Sequence, residues 1–460
     1  MDRIWQQPFV DLVAAANPSH HRQILTIAVP VALSSQIDTL VGIADIFIVS
    51  GLGADAISAV GMARLFIMVP GVVMISATTG AFAMVAQHIG GGRLHEASAT
   101  AKQTFTLVTL ITGSLSLIGW FGARVCLEAM SLAPAVVELG TDYLRVFFVG
   151  MTVLSLNHAL SSCFYGTGDA RTPLYINLFA SLLKVGATYV LVLGRFGFPA
   201  AGVAGAAAGN LIGGAGGLAI GFLLLYSGRF RLCLLPSTSY RLDPKLARRI
   251  LRIGIPSALQ GLFRNGSSLI FAKLVALTTA GTAAVAAYSI GNQIERLLRR
   301  TSLSFGVAAT TLVGNSLGAQ QQDVAVQRGR SANLVGVVAM ILCGLPVMLL
   351  ARPFMALFTD VPEVIAIGVI YLWAVALAEP FMCLGITAGG ALRGAGDTKP
   401  TLYYTIIAQW LVRLPMGYVL AFSFGLQEHG LWIALVLLSV VQGLLTWRKF
   451  RRGLWLDREI

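Results

Sequence analysis

Long apolar stretches alternate with short polar breaks along almost the whole chain. Each stretch has about 20 residues or more, enough for a helix to cross a hydrocarbon core about 30 Å thick. Because an open strand would leave backbone groups without partners in lipid, each stretch is predicted to be a transmembrane helix. The twelve stretches lie near 24–51, 58–88, 101–123, 134–165, 173–194, 199–226, 249–278, 284–317, 330–352, 363–391, 400–423 and 429–447.

The composition agrees with this pattern. Of the 460 residues, 56% are hydrophobic and only 12% are charged, whereas soluble globular domains carry about 25% charged residues. So few charges cannot cover a water-facing surface, which excludes a soluble enzyme, a fibrous protein and a disordered protein. The five cysteines are scattered without paired spacing, so they are interpreted as small apolar residues and no metal site is predicted. The expected fold class is an all-α polytopic membrane protein.

The positive charges predict the orientation in the membrane. The net charge is +13, from 33 Lys and Arg against 20 Asp and Glu. With the N-terminus inside, the tails and even-numbered loops hold 21 Lys and Arg, and the opposite loops hold three: Arg124, Arg195 and Arg352. Cytoplasmic loops carry such an excess, so both termini are expected in the cytoplasm. The basic surface is therefore expected to face the anionic lipid of the cell (plasma or inner) membrane, with no nucleic-acid partner.

The longest polar break, 227–248, divides the chain into two halves of six helices each. It is rich in Arg and Lys and contains Leu242-Asp243-Pro244. Asp as the N-cap and Pro as the first helical residue predict that a helix begins there. The predicted domains are an N-terminal six-helix lobe (1–226), a basic cytoplasmic linker (227–248) and a C-terminal six-helix lobe with a basic cytoplasmic tail (249–460).

The two halves resemble one another at an offset near 228. Tyr165-Gly-Thr-Gly-Asp-Ala-Arg-Thr-Pro173 matches Arg393-Gly-Ala-Gly-Asp-Thr-Lys-Pro400, and Lys184–Tyr189 lies over Arg413–Tyr418. Since each half has an even number of helices, both cross the membrane in the same direction. Parallel repeats of this kind are a transporter design, with the substrate path between or within the lobes. The many small residues of 200–217 are expected to let helices pack closely.

Charged residues at bilayer depth are costly and indicate function. In the N-terminal half these are Asp38, Asp45 and Lys184. The two aspartates are seven residues apart, so they share one helix face about 10 Å apart along the axis. Lys184 lies near the middle of the fifth helix and can pair with either. We expect Asp45 first, and Asp38 second, to alternate between a proton and a partner; the alternative is a static salt bridge that pins two helices.

The C-terminal half carries five arginines and two glutamates at similar depth. They are Arg264, Glu295, Arg296, Arg299, Arg300, Glu379 and Arg413. Surplus guanidinium groups should repel an organic cation and could bind a carboxylate or phosphate in a bidentate manner. The alternative interpretation is a polar network that only locks four helices together.

Several motifs together resemble the multidrug and toxic compound extrusion (MATE) family. They are Pro30 with Ala44-Asp45 and Gly51-Leu-Gly53, the helix ends Gln87…Gly90 and Asn315…Leu317-Gly318-Ala319, and both Gly-x-Gly-Asp turns. The resemblance covers nearly the whole chain. It implies a V-shaped pair of six-helix lobes and export driven by inward H⁺ or Na⁺.

The resemblance also assigns candidate site residues. Asp45 matches the cation-binding acid that the family has in its first helix. Lys184 stands where the family usually has Asn, and Thr188 where a second polar or acidic group is common. Acids that some members carry in helices seven and ten correspond to Arg264 and Met382, which weakens the transfer of a Na⁺ site.

The function predicted from the residues and the resemblance is secondary active export of amphipathic small molecules by alternating access. Coupling to H⁺ is favoured over Na⁺ because the Lys184 ammonium competes with a metal cation. No other cofactor and a monomeric state are expected. The alternative is a flippase or exporter of an anionic lipid or metabolite. A membrane-embedded enzyme is disfavoured, since no HExxH, GxSxG or similar motif occurs.

Overall fold

The structure, a computed structural model, describes residues 18–130 and 133–456 of the chain. Two of the predicted cytoplasmic charges, Arg3 and Arg458, lie outside these ranges. The described chain forms twelve long helices and one short helix, α10. They are α1 (Pro18–Ser50), α2 (Ala54–Gly90), α3 (Leu94–Glu128), α4 (Pro134–Thr167), α5 (Arg171–Leu193), α6 (Gly202–Tyr226), α7 (Pro244–Ala276), α8 (Gly281–Gly318), α9 (Gln322–Leu349), α10 (Ala351–Ala356), α11 (Pro362–Gly394), α12 (Lys399–Ser423) and α13 (Gln427–Arg451).

These helices confirm the predicted all-α membrane fold. Nine of them, within the described residues, are long and apolar enough to cross a membrane. The largest differences from the predicted bounds are at α3, which begins at Leu94, and α9, which begins at Gln322. Both were predicted to begin seven or eight residues later. Adding a residue to an existing helix costs little, so a helix continues into polar sequence beyond its apolar run.

Contacts between helices divide the chain into two compact units. Leu33–Ala258 is called the N-terminal unit here. The described residues of Met1–Ala32 and Leu259–Ile460 are called the C-terminal unit. Helices α1 and α7 therefore each contribute residues to both units.

The two units repeat one another helix by helix. Corresponding helices begin 225 to 228 residues apart, the first pair at Pro18 and Pro244. In the N-terminal unit α4 packs against α2, α3 and α6, and in the C-terminal unit α11 packs against α8, α9 and α13. This agreement in order, spacing and packing confirms the duplication predicted from the sequence.

The two Gly-x-Gly-Asp turns end one helix and begin the next. Gly168 (φ 89°) and Gly396 (φ 75°) adopt the left-handed conformation that favours glycine. Asp169 Oδ1 then accepts the backbone N–H of Thr172 at 3.0 Å and so caps α5. In the C-terminal unit, the equivalent Asp397 is fully buried and lies 3.7 Å from Lys449 Nζ.

The basic segment after α6 packs against α3. The Lys102 ammonium donates hydrogen bonds to the backbone oxygens of Leu235 and Thr238, at 2.7 and 2.8 Å. At the end of the segment, Asp243 Oδ1 accepts the N–H of Lys245 at 2.8 Å. The predicted start of a helix at Pro244 is confirmed.

Helix α12 departs from regular α-helical geometry on both sides of Pro415. Ile407–Arg413 and Val419–Ser423 are π-helical. Proline has no N–H to donate, and its ring collides with the carbonyl one turn earlier, so the backbone widens locally. Arg413, one of the predicted site residues, ends the first π segment.

Candidate functional site

An ion pair joins α1 to α5 inside the N-terminal unit. Lys184 Nζ lies 2.6 Å from Asp45 Oδ2. The two side chains are only 18% and 10% exposed, respectively. Of the two aspartates that the sequence offered as partners, the structure pairs Lys184 with Asp45.

Asp38 belongs to a second connection between the same two helices. The amide of Asn177 donates to Asp38 Oδ1 at 3.0 Å and to Ser34 Oγ at 2.8 Å. Asn177 precedes Lys184 by seven residues, as Asp38 precedes Asp45. The constant difference of 139 positions means that α1 and α5 run parallel and in register over two turns. Sequence analysis missed Asn177, although this shared spacing of seven was the available signal.

Glycines of α6 fix the position of α5 behind Lys184. Gly205, Gly209 and Gly213 recur every four residues, so they lie on one face of the helix. A Cβ atom at Gly213 would lie 2.6 Å from Lys184 Cβ, and one at Gly209 would overlap Thr188 Oγ1. The close packing predicted for 200–217 is therefore the contact that holds Lys184 in place.

Asp45 also faces a cavity within the N-terminal unit. The cavity is lined by α1, α2, α4 and α6, with the polar groups of Asp45, Tyr143 and Asn210 among mostly apolar ones. Asp45 Oδ1 is buried and has no hydrogen-bond partner in the described chain. One carboxylate oxygen of Asp45 thus pairs with Lys184, while the other makes no hydrogen bond within the described residues.

Thr188, the fourth residue predicted for this site, is placed elsewhere. It is fully buried between α5 and α6, and its hydroxyl makes no hydrogen bond within the described residues. It is absent from the described lining of the Asp45 cavity. The structure therefore pairs Asp45 with Lys184. Asp38 is hydrogen-bonded to Asn177 instead, and Thr188 does not line the Asp45 cavity.

The two glutamates predicted at bilayer depth in the C-terminal half, Glu295 and Glu379, are both buried and both hydrogen-bonded. Glu295 accepts from the Arg299 guanidinium one turn later and from the Tyr371 hydroxyl. Glu379 accepts from Ser302 Oγ at 3.2 Å. The pairing of Glu295 with Arg299 follows from their i,i+4 spacing.

The arginines of this unit occupy three different surroundings. Arg413 is buried, donates to Gln409 Oε1 at 3.3 Å, and places its guanidinium 3.9 Å from the ring centroid of Phe271. Arg296 is exposed, and Arg300 is half-buried, beside Arg299 on α8. Arg299 pairs with Glu295 and Arg413 lies beside Phe271, so these two arginines have different nearest partners.

A cavity in the C-terminal unit gathers guanidinium groups from three helices. Arg264 of α7, Arg299 of α8 and Arg393 of α11 line it together, with Gln260 and Gln442 as further polar groups. Within the part of the chain that the structure describes, no acidic residue lines this cavity. Sequence analysis assigned Arg393 to a cytoplasmic loop and missed its place here, because it lies in the last turn of α11.

Comparison with known proteins agrees with this architecture. The family model MatE matches residues 30–190 and 256–419, one segment in each half of the chain. The chain is similar to a probable multidrug resistance protein NorM of Thermotoga maritima, at 27% identity over 96% of this chain and 95% of that protein. It is also similar to the multidrug resistance protein NorM of Photobacterium profundum, at 25% identity over 90% of this chain and 91% of that protein.

Solved structures show the same fold. An outward-facing multidrug resistance MATE family transporter of the MOP superfamily superposes with a TM-score of 0.87, at 20% identity over 98% of this chain and 99% of that one. A MOP superfamily transporter from Pyrococcus furiosus superposes equally well, with a TM-score of 0.87 at 20% identity over 96% of this chain and 97% of that one. At such identities the likeness establishes the twelve-helix fold.

Proposed function

The chain belongs to the MatE family of multidrug efflux transporters, and from that premise we propose that it is an H⁺-coupled antiporter for amphipathic, preferentially cationic, organic compounds. It is a multi-pass membrane transporter and not an enzyme. The observation that carries the proposal is the ion pair between Asp45 and Lys184 beside a cavity, with Asp45 Oδ1 left without a partner.

The ion pair suggests how a proton and a cationic substrate exclude one another. While Asp45 is ionised, its charge balances Lys184, and the cavity beside it can accept an organic cation. A proton on Asp45 removes that balance, so the Lys184 ammonium becomes a net positive charge beside the cavity. The substrate is then repelled as the proton binds, which is the exchange that an antiporter needs. Alternating access carries the occupied site from one side of the membrane to the other.

The same geometry favours H⁺ over Na⁺ as the coupling ion. A sodium site needs several oxygen ligands and no competing cation. Here the Lys184 ammonium already lies 2.6 Å from one carboxylate oxygen. A proton needs only the remaining oxygen of Asp45, so it can bind without displacing the lysine.

Transport by the reconstituted protein tests this proposal. Inverted vesicles are loaded with independent control of ΔpH and ΔNa⁺, and uptake of a fluorescent monocation is followed. We expect uptake to follow ΔpH and not ΔNa⁺. Asp45→Asn keeps the shape of the side chain and removes its protonation, so ΔpH-driven uptake should fall to that of protein-free vesicles.

Asp38→Asn is the matched control, because it removes an identical charge from the same helix. Asp38 accepts a hydrogen bond from Asn177 and does not hold Lys184, so this variant should retain most of the ΔpH-driven uptake. Normal uptake by Asp45→Asn under an imposed ΔpH would show that the pair is structural. Uptake driven by ΔNa⁺ at fixed pH would reject the choice of coupling ion.

A second candidate function is export or flipping of an anionic lipid or metabolite. The cavity lined by Arg264, Arg299 and Arg393 favours it, because three guanidinium groups repel a cation. The two candidates differ in a measurable way. An anion exporter should move a monoanionic dye faster than a monocationic dye of similar size under the same ΔpH.

A further inference from the structure

We propose that Arg264, Arg299 and Arg393 form a binding site in the C-terminal unit for a doubly charged oxyanion of the phosphate monoester type. Three helices, α7, α8 and α11, each supply one guanidinium to the same cavity. Guanidinium groups offer paired N–H donors that match the oxygens of a phosphate. The proposal concerns a ligand of this unit and does not depend on coupling at Asp45.

The charge balance of the cavity calls for an anion. Arginine stays protonated at any physiological pH, so its charge cannot be relieved by losing a proton. Of the three arginines, Arg299 forms an ion pair with Glu295, which balances its charge. Arg264 and Arg393 form no salt bridge within the described chain, and Arg264 is repelled by both other arginines. Two positive charges of the cavity therefore remain without a counterion among the described residues.

Two glycines lie beside the guanidinium of Arg393. A Cβ atom at Gly306 would lie 3.4 Å from Arg393 Nη2, and one at Gly389 would lie 3.8 Å from Nη1. No side chain from either position stands over these donors. The remaining polar lining consists of Gln260, Thr401, Gln442 and Thr446. The Gln442 amide makes one hydrogen bond, to Thr405 Oγ1 at 3.3 Å, and has a second N–H that can donate to an oxyanion.

The number of surplus charges selects the class of ligand. Two unbalanced guanidinium groups match a phosphate monoester, which carries a charge of about −1.5 to −2 near pH 7. A phosphodiester or a simple carboxylate carries only one negative charge and leaves one arginine unbalanced. The phosphate monoester can belong to a soluble compound or to a lipid headgroup such as phosphatidic acid.

Thermal unfolding of the full-length protein in an uncharged detergent tests the site. Inorganic phosphate is titrated at constant ionic strength, with chloride replacing it in the reference series. We expect a saturable rise of several degrees in the midpoint temperature. In a second arm, short-chain phosphatidic acid should produce the same saturable rise, and phosphatidylglycerol, a diester of equal chain length, should act at least tenfold more weakly.

Substitutions of the cavity arginines test whether the rise in midpoint temperature comes from phosphate bound in this cavity. Arg264→Gln and Arg393→Gln should each abolish the rise, while Arg296→Gln, an exposed arginine of α8, should keep it. Each cavity variant removes an unbalanced charge, so its midpoint without phosphate should not fall below that of the unmodified protein. Arg264→Lys keeps the charge without the paired donors and should shift the titration to higher phosphate concentration.

The two arms also identify the source of the ligand. Equal effective concentrations of phosphate and phosphatidic acid indicate a soluble ligand, and a phosphatidic acid response at tenfold lower concentration indicates a lipid. A response to neither overturns the proposal, as does a rise that survives both Arg264→Gln and Arg393→Gln. Because no ion gradient is present, failure here leaves the coupling proposed for Asp45 untouched.

Discussion

The two units place a cation at equivalent points of the repeat but give it different partners. In the N-terminal unit, Lys184 lies 2.6 Å from a carboxylate oxygen of Asp45. In the C-terminal unit, Arg413 lies 3.9 Å from the ring centroid of Phe271. Phe271 follows Asp45 by 226 positions and Arg413 follows Lys184 by 229, close to the offsets between the helices that carry them. An ion pair in one unit thus corresponds to a cation–π contact in the other.

The hydrogen-bonded connection beside this pair is repeated in both units. Asn177 donates to Ser34 in the N-terminal unit, and Gln260 donates to Thr405 Oγ1 at 2.7 Å in the C-terminal unit. Ser34 and Gln260 are equivalent positions, again 226 apart. The scaffold between the first and fifth helices of each half was therefore duplicated, while the charged group beside it changed.

At this point of the repeat, only the N-terminal unit has a carboxylate beside its cation. A carboxylate beside a cation can exchange its partner for a proton, and an aromatic ring cannot. At one further position the sign of the charge is reversed, since Asp38 corresponds to Arg264. At the positions of Asp38 and Asp45, the C-terminal unit therefore carries Arg264 and Phe271, and the guanidinium group suits it to an anion.

The largest expected effect comes from removing the cation of each unit in turn. Lys184→Met leaves the Asp45 carboxylate buried without its partner, which should destabilise the protein by about 3–5 kcal/mol. Arg413→Met leaves no buried carboxylate behind, so it should destabilise the protein less than Lys184→Met. It loses the cation–π contact, worth about 2 kcal/mol, and the hydrogen bonds to Gln409 and Ser268. Thermal unfolding in detergent, with expression as a second readout, measures both variants.

A double variant sharpens this contrast. Lys184→Met combined with Asp45→Asn removes both charges of the pair and should recover most of the stability that Lys184→Met loses. Combining Lys184→Met with Asp38→Asn should recover little, because Asp38 is bound by Asn177. Equal recovery from both combinations would mean that the pairing of Lys184 with Asp45 is not specific.

The next largest effect is expected from a substitution on α6 that disturbs its packing against Lys184. In Gly213→Ala, the new methyl group meets Lys184 Cβ and the backbone oxygen of Ala180, so α5 must move. Overpacking of this kind costs about 1–3 kcal/mol, and ΔpH-driven uptake should fall with it. Gly186→Ala on α5 is the control, since no heavy atom lies within 4 Å of its Cβ position. Equal losses in both variants would contradict the packing argument.

The smallest expected effect comes from removing the hydrogen-bonded connection between the first and fifth helices of each half. Asn177→Leu removes the hydrogen bonds to Ser34 and Asp38, and Thr405→Val removes those from Gln260 and Gln442. In a membrane, each interhelical hydrogen bond is worth about 0.6 kcal/mol on average. The two losses should be similar, because the connection has the same structural role in both units. Asn177→Leu should in addition slow uptake, since it also frees Asp38. If only one of the two variants lost stability, the hydrogen-bonded connections of the two units would not be structurally equivalent.

The sequence alone determined the number of long helices, their order and the duplication, but not the short helix α10. In lipid, a backbone segment must satisfy its own hydrogen bonds, so an apolar stretch of sufficient length has one available structure. The start of α7 was equally well determined, because Asp243 and Pro244 fix a helix terminus through local bonds. Asp45 was also identified as a candidate from the sequence, because it is a charge in an apolar helix.

Only the tertiary structure decided which charges meet. The pairing of Lys184 with Asp45, the role of Asn177 and the entry of Arg393 into a cavity all depend on how helices are rotated against their neighbours. In a soluble helix, the apolar face points to the core and reveals that rotation. In a membrane helix, the lipid-facing side is apolar as well, so the periodicity of the sequence does not show which side faces the protein.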